Sequence, residues 1–256
     1  MLSRWRSLWR GALERRALAR RAVPDALWRR TLRRFPFLDL RDDADAAELR
    51  RLTSLFLDQK EFSAAGTLRL TDDIAVAIAA QACLPVLRLG LAAYAGFVGI
   101  VVHPGQVVAR REFTDDDGIV HDYDEVLAGE AMEGGPVMLS WSDVRRAGRS
   151  SEQGYNVVIH EFAHVLDMGD GVADGMPPMP LEAREHWQQV LVSEYAAFCH
   201  RVDADEDTAL DPYGAENPGE FFAVASEAFF VSPLAMRAEH PALYELLAGF
   251  YRQRPD

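Results

Sequence analysis

The spacing of apolar residues along the chain predicts a largely helical protein. Apolar positions recur at helical intervals across residues 45–56 and again across 74–91, where Pro85 marks a break. The same spacing in the second half of the chain predicts four further helices, at about 152–168, 181–201, 217–231 and 239–253. We therefore expect helices to form most of the fold.

The middle of the chain has the pattern of short strands instead. FVGIVV at 97–102 and PVMLSW at 136–141 are apolar runs of strand length, and a shorter one surrounds Val107 and Val108. Prolines and glycines between them supply turns. Together with the helices, these runs predict an α+β fold that is mostly helical, with a small mixed sheet set against the helices.

Charge is distributed very unevenly along the chain. Residues 1–36 carry eleven arginines against Glu14 and Asp25, a charge of about +9, which leaves about −22 on the rest of a chain whose net charge is −13. We expect an Arg-rich arm at 1–40 and one larger domain at 41–256. The arm is read either as an amphipathic segment that binds acidic lipid, nucleic acid or a protein, or as a helical extension that packs locally. The acidic body argues against nucleic acid as a partner.

The remaining composition is that of a folded cytoplasmic protein. Apolar residues make up 49% of the chain, yet no uninterrupted apolar run is long enough to span a membrane, and the N-terminus lacks the apolar core of a secretory signal. The two cysteines, Cys83 and Cys199, lie in apolar contexts without a CxxC partner and are expected to be buried thiols.

The motif HEFAH at 160–164 carries the candidate chemistry. The apolar residues around it predict a buried helix, on which His160 and His164 project from one face and can bind one metal ion. Glu161 occupies the neighbouring position, from which it can act as general base toward a water at the metal. The alternative is a pair of core histidines, but a charged Glu161 in so apolar a helix would then lack a partner. The motif therefore predicts a zinc site.

A catalytic zinc ion needs a third protein ligand. In the extended motif HExxHxxGxxH, or its variant that ends in Asp, the last residue is the third ligand, and Asp170 occupies that position. However, Asp167 replaces the glycine that this motif requires. Glu220 is the stronger candidate, because it falls in the first turn of the helix that Asn217 and Pro218 begin. A first-turn glutamate that only benefits from the helix dipole is the alternative reading.

Two further carboxylates could act around the metal. Glu227 lies two turns after Glu220 on the same helix face, as an alternative ligand or as a hydrogen-bond partner of one. Asp167 lies one turn beyond His164, where it could orient the site by accepting a hydrogen bond from a ligating imidazole or from nearby backbone, or simply help to end the helix.

Four stretches of the chain resemble the Mlc titration factor A family of zinc-dependent peptidases: CLPVLRLGL at 83–91, GPVMLSW at 135–141, GYNVVIHEFAHVLD and PYGAENPGEFFAVASEAFF. The similarity runs from about 45 to 253 and leaves out the arm. The stretch from Tyr213 to Ala223 also resembles, more remotely, the catalytic domain of anthrax lethal factor. The resemblance implies a zincin-like domain of the gluzincin type, with His160, His164 and Glu220 as zinc ligands and Tyr213 as a catalytic residue.

The expected function is zinc-dependent hydrolysis of peptide bonds, with Glu161 moving the proton and Tyr213 donating a hydrogen bond to the oxyanion. The strand at 136–141 could pair with an extended substrate, or be a plain core strand. The resemblance implies aminopeptidase activity on small peptides. It also implies a role of another class, the sequestration of a transcriptional repressor of sugar uptake, so the expected partners are a peptide or protein substrate and such a repressor.

Overall fold

A computed structural model describes residues 2–40, 42–114, 120–147 and 154–255. The fold is mostly helical with a small mixed sheet, as the sequence predicts. Its helices in these residues are α1 (Leu2–Arg21), α2 (Asp25–Arg34), α3 (Asp43–Gln59), α4 (Asp72–Cys83), α5 (Trp141–Ala147), α6 (Val157–Asp167), α7 (Leu181–Asp203), α8 (Pro218–Val231), α9 (Pro233–Glu239) and α10 (Pro241–Tyr251). The strands are β1 (Glu61–Ala64), β2 (Gly99–His103), β3 (Val107–Thr114), β4 (Val120–Leu127), β5 (Gly129–Ala131) and β6 (Val137–Ser140).

The main sheet has the strand order β1-β2-β6-β5. Strands β1, β2 and β6 are parallel, while β5 runs antiparallel to β6 with Gly129 opposite Leu139. Because β6 has hydrogen-bonded neighbours on both sides, the suggestion that 136–141 pairs with a substrate is wrong, and β6 is a core strand. The two edge strands of the sheet are β1 and β5. Strands β3 and β4 form a separate antiparallel hairpin, which precedes β5 in the chain.

Helix α6 crosses the centre of the core. It begins at Val157 because the Asn156 side chain accepts a hydrogen bond from the N–H of Ile159 at 3.0 Å, so it starts later than the predicted 152. Residues 152 and 153 of that prediction lie outside the described residues. Phe162 packs against Tyr94 with ring centroids 5.0 Å apart. Since Phe162 is two residues from His160, about 200° around the helix, this packing turns the histidine face away from the aromatic core.

Helix α8 packs directly on α6. The Asn217 side chain accepts from the N–H of Glu220 at 3.0 Å and Pro218 occupies the first turn, as the sequence predicts for this helix start. The two small residues Ala223 and Ser226 are fully buried, which is consistent with a close approach of the two helices. The histidine-bearing and glutamate-bearing helices are thereby fixed relative to one another.

The predicted helix over 239–253 is α10, which begins two residues later at Pro241, and the sequence analysis missed α9 before it. Two helices, α9 and α10, meet at His240, each with a proline in its first turn. Pro241 has no N–H to donate to the preceding turn, so the helix cannot continue through it. The sequence analysis also missed β1 and β5, which are too short to show an alternating pattern, and α5.

The Arg-rich segment packs on the body of the protein. Helix α1 lies on α3 and α2 lies on α4, and Leu27, Trp28 and Phe35 belong to the same buried core as the residues of α6 and α8. Part of its positive charge is matched by acidic residues of the body, as in the salt bridge of Arg30 with Asp73 at 2.9 Å. The division of the chain at residue 40 stays a prediction.

Both cysteines are free, with Cys83 buried and Cys199 half-buried. Within the described residues, every helix is too short or too polar to cross a membrane.

Candidate metal centre

The side chains of His160, His164 and Glu220 converge where α6 meets the first turn of α8. The two Nε2 atoms of the histidines are 3.2 Å apart. Oε2 of Glu220 lies 3.0 Å from Nε2 of His160 and 3.3 Å from Nε2 of His164. The structure thus brings together the three side chains that the sequence predicts as ligands.

The spacing of these three atoms fits a tetrahedral zinc site. Bonds of about 2.0–2.1 Å place neighbouring ligand atoms of a tetrahedral zinc ion roughly 3.3–3.4 Å apart. The observed separations of 3.0–3.3 Å are close to this value, so the three atoms form one face of such a tetrahedron. The two imidazole nitrogens and one carboxylate oxygen are ligands that zinc prefers. Among the described residues, no other group of three histidine, cysteine or acidic side chains comes together in this way.

The charges of the pocket favour a cation. Burial disfavours ionisation of Glu220, but hydrogen bonds with His160 and His164 outweigh it and lower its pKa to about 2. Burial likewise opposes a charge on His160, but Glu220 and Glu227 raise the pKa of its imidazole well above the usual value. Positive charge is therefore stabilised between these carboxylates, whether a proton or a metal ion supplies it.

Glu227 binds the far side of His160. Its Oε1 lies 2.7 Å from Nδ1 of His160, and its other oxygen accepts from the N–H of Asn156. The side-chain amide of Asn156 donates in turn to the side-chain oxygen of Gln81 at 2.9 Å. The side chains of Glu227, Asn156 and Gln81 are all buried. Of the two roles left open for Glu227, the geometry favours the hydrogen-bond partner over the ligand. Gln81 was not predicted, because nothing in the pattern of α4 distinguishes it.

Glu161 is buried beneath the edge strand β5. Its side chain packs on Gly129 so closely that a Cβ at this glycine would lie 2.3 Å from Oε1 of Glu161. Burial raises the pKa of Glu161 to about 8; His160 and a hydrogen bond from the backbone N–H of Ala131 oppose this, whereas Glu220 adds to it. Gly129 was not predicted, because its importance comes from a contact between distant parts of the chain.

Tyr213 lies on the open side of the three converging side chains. It belongs to the turn before α8, where the Asp211 carboxylate accepts from its backbone N–H at 2.9 Å. Its ring centroid is 6.0 Å from that of His160, and the residue is 41% exposed. The structure therefore places Tyr213 beside the candidate ligands, with its ring accessible to a substrate.

The two aspartates after the motif do not join the three ligands. Asp170 is exposed and forms a salt bridge with Arg184 at 3.2 Å. Asp167 is buried and accepts a hydrogen bond from the backbone N–H of Gly175 at 2.8 Å, rather than from an imidazole.

The sequence model of the family described as "Glucose-regulated metallo-peptidase M90" matches residues 9–252. The chain therefore belongs to this family of metallopeptidases, whose activity requires a metal ion. Its relatives include Mlc titration factor A of Edwardsiella ictaluri and of Pectobacterium atrosepticum, each 39% identical over 223 residues, which cover 86% of this chain and 85% and 83% of theirs. Mlc titration factor A of Serratia proteamaculans is 35% identical over 86% of this chain and 84% of its own length.

These comparisons confirm the resemblance to the Mlc titration factor A family. They also extend it, because the match begins at residue 9 and so includes most of the Arg-rich segment that the sequence analysis left outside.

Proposed function

We propose that this protein is a zinc-dependent peptidase of the gluzincin type. His160, His164 and Glu220 would hold the zinc ion, and Glu161 would be the general base. The observation that carries the proposal is the triangle of ligand atoms with edges of 3.0–3.3 Å, with Glu161 next to one ligand on the same helix. A zincin-like fold agrees with a ligand-bearing helix that packs beneath a small mixed sheet.

The zinc ion and the residues beside the three ligand atoms would have separate roles in hydrolysis. A bound zinc ion would polarise the scissile carbonyl and lower the pKa of a water molecule toward about 7. Glu161 would accept a proton from the attacking water and deliver it to the leaving amine. Tyr213 would donate a hydrogen bond to the oxyanion that develops on the carbonyl.

The edge strand β5 is the proposed binding site for the substrate backbone. It is the strand of the main sheet nearest to Glu161, and its outer edge has no neighbouring strand among the described residues. An extended peptide could therefore pair with it through main-chain hydrogen bonds. The family resemblance favours small peptides cleaved from the amino end, and the cytoplasm is the proposed compartment.

Two measurements test the proposal together. Zinc stoichiometry should be about one in the purified protein and should fall in His160→Ala and Glu220→Ala, as expected for a three-ligand site. Glu161→Gln should keep the zinc but lose hydrolysis of a set of short peptides by about 100-fold or more. Glu245→Gln, on an exposed residue paired with Arg254, is the control and should match the wild type. Persistent hydrolysis in Glu161→Gln would show that the base is assigned wrongly.

The names of the relatives favour a second role. Mlc titration factor A is named for titration of Mlc, and we propose that this chain also binds a transcriptional repressor. The two roles can be separated, because Glu161→Gln should abolish hydrolysis while calorimetric binding to the repressor is retained. If the repressor does not bind the wild-type protein, only the peptidase role remains.

A further inference from the structure

Asp167, the last residue of α6, is buried in an unfavourable setting. The residue is fully buried, its Oδ2 accepts from the N–H of Gly175 at 2.8 Å, and its Oδ1 has no hydrogen-bond partner among the described residues. A negative charge at the C-terminal end of a helix also opposes the helix dipole. Burial with one oxygen unpaired costs free energy, so this carboxylate is not explained by the stability of α6 alone.

The backbone that Asp167 binds is wedged against the start of α8. Gly175 has a φ of +77°, and a Cβ there would lie 2.5 Å from the carbonyl oxygen of Pro218. Its own carbonyl accepts from Nε1 of Trp187 at 2.9 Å. A second close contact adjoins it, since a Cβ on Gly219 would lie 2.9 Å from the carbonyl oxygen of Ala173. The segment 173–175 therefore leaves no free space beside the two residues that precede Glu220.

We propose that Asp167 is a positioning residue for the metal centre. The hydrogen bond from Gly175 to Asp167 keeps the segment 173–175 in contact with Pro218 and Gly219. This contact sets the position of Glu220 relative to the histidines of α6. The inference rests on the proposed zinc site. It accounts for the cost of the buried carboxylate, because Asp167 connects the end of the histidine helix to the start of the glutamate helix.

The test is zinc affinity, measured by competition with a chelating indicator. Asp167→Ala should bind zinc about 10–100-fold more weakly, in the range found when groups that orient metal ligands are removed. Asp167→Asn should stay within a factor of about three of the wild type, because its amide oxygen can still accept from Gly175. Arg184→Ala, which removes an exposed ion pair of the neighbouring turn, is the matched control and should leave the affinity unchanged.

Two further measurements on Asp167→Ala do not depend on activity, and a second variant covers the case in which Asp167→Ala does not fold. The visible spectrum of the cobalt-substituted protein should change in Asp167→Ala, because it reports the geometry of the ligands. Amide hydrogen exchange in 173–175 should become faster in the same variant. If Asp167→Ala does not fold, Trp187→Phe removes the donor to Gly175 but keeps an aromatic ring beside Phe222 and Phe250, and it should weaken zinc binding by about 2–10-fold, the equivalent of one hydrogen bond.

The outcomes separate this inference from the proposed function. Wild-type zinc affinity in Asp167→Ala, or in Trp187→Phe if that variant is used, would overturn the positioning role. An equal loss in Asp167→Asn and Asp167→Ala would also overturn it, because the charge would then matter rather than the hydrogen bond. If Glu220→Ala also binds zinc normally, the metal site itself is assigned wrongly.

Discussion

The Nδ1 atom of His160 lies 2.7 Å from Oε1 of Glu227, and this contact directs the other ring nitrogen toward His164 and Glu220. Helix α8 therefore acts on His160 from both sides, with Glu220 at one nitrogen and Glu227 at the other. The two glutamates are seven residues apart, which places them two turns apart on one face of α8. The packing of α8 on α6 thus positions both the candidate ligand Glu220 and Glu227, the group that orients His160.

Removing the charge of Glu227 should weaken metal binding. Glu227→Gln keeps the size of the side chain but no longer makes the imidazole more basic, so we expect zinc affinity to fall about 10-fold, and further in Glu227→Ala. Chelator competition measures both, with Glu245→Gln as the exposed control. Unchanged affinity in Glu227→Gln would mean that the negative charge of Glu227 does not tune the site.

A methyl group at Gly129 should disable the proposed base and spare the metal. The new Cβ would lie 2.3 Å from Oε1 of Glu161, so either the carboxylate or β5 must shift. We expect kcat for peptide hydrolysis to fall by about 100-fold, as for other displacements of about 1 Å in active sites. Zinc content should not change. Gly96→Ala is the control, because a Cβ there meets no atom within 4 Å; equal activity of the two variants would contradict the assignment of Glu161.

The candidate ligands could be predicted because their signals are local. His160 and His164 are four residues apart on one helix, and Glu220 follows a recognisable helix start. Gly129 and Gln81 gave no such signal, because each matters only through a contact with α6 or its cap. The strand β5 has three residues, too few for an alternating pattern.

The packing of the N-terminal segment follows the helical spacing of its buried positions. Leu27, Thr31 and Phe35 are four residues apart and all buried, which is the spacing of one helix face that continues into the following turn. Arginines occupy the other faces of α2. The prediction of a separate arm therefore followed the composition of the segment, while its packing follows the periodicity.

Truncating Phe35 should destabilise the whole protein if the segment before residue 40 belongs to the core. Phe35 is completely buried, so Phe35→Ala should lower the free energy of unfolding by about 3–5 kcal/mol. Leu234→Ala, at a residue that is 70% exposed, should change it by less than about 0.5 kcal/mol. Urea unfolding monitored by circular dichroism measures both. A small effect of Phe35→Ala would support an independent arm at 1–40.

The buried carboxylate of Asp167 should make stability depend on pH. Burial raises its pKa to about 7, although the N–H of Gly175 opposes the shift, whereas an unfolded aspartate has a pKa of about 3.9. Between these values the folded protein binds more protons than the unfolded chain, so the contribution of Asp167 to stability is present at low pH and is lost as the pH rises toward 7. The loss is at most about 1.4 kcal/mol for each pH unit.

Asp167→Asn removes this titration, so its stability relative to the wild type should increase as the pH rises from about 4 to about 7 and should level off above that. Urea unfolding at several pH values, with a chelator present so that metal binding does not contribute, measures the difference. Asp203→Asn is the matched control, because Asp203 also ends a helix but is exposed. A difference between Asp167→Asn and the wild type that stays constant over this range would show that Asp167 is already ionised in the folded protein at low pH, and that another group must neutralise it.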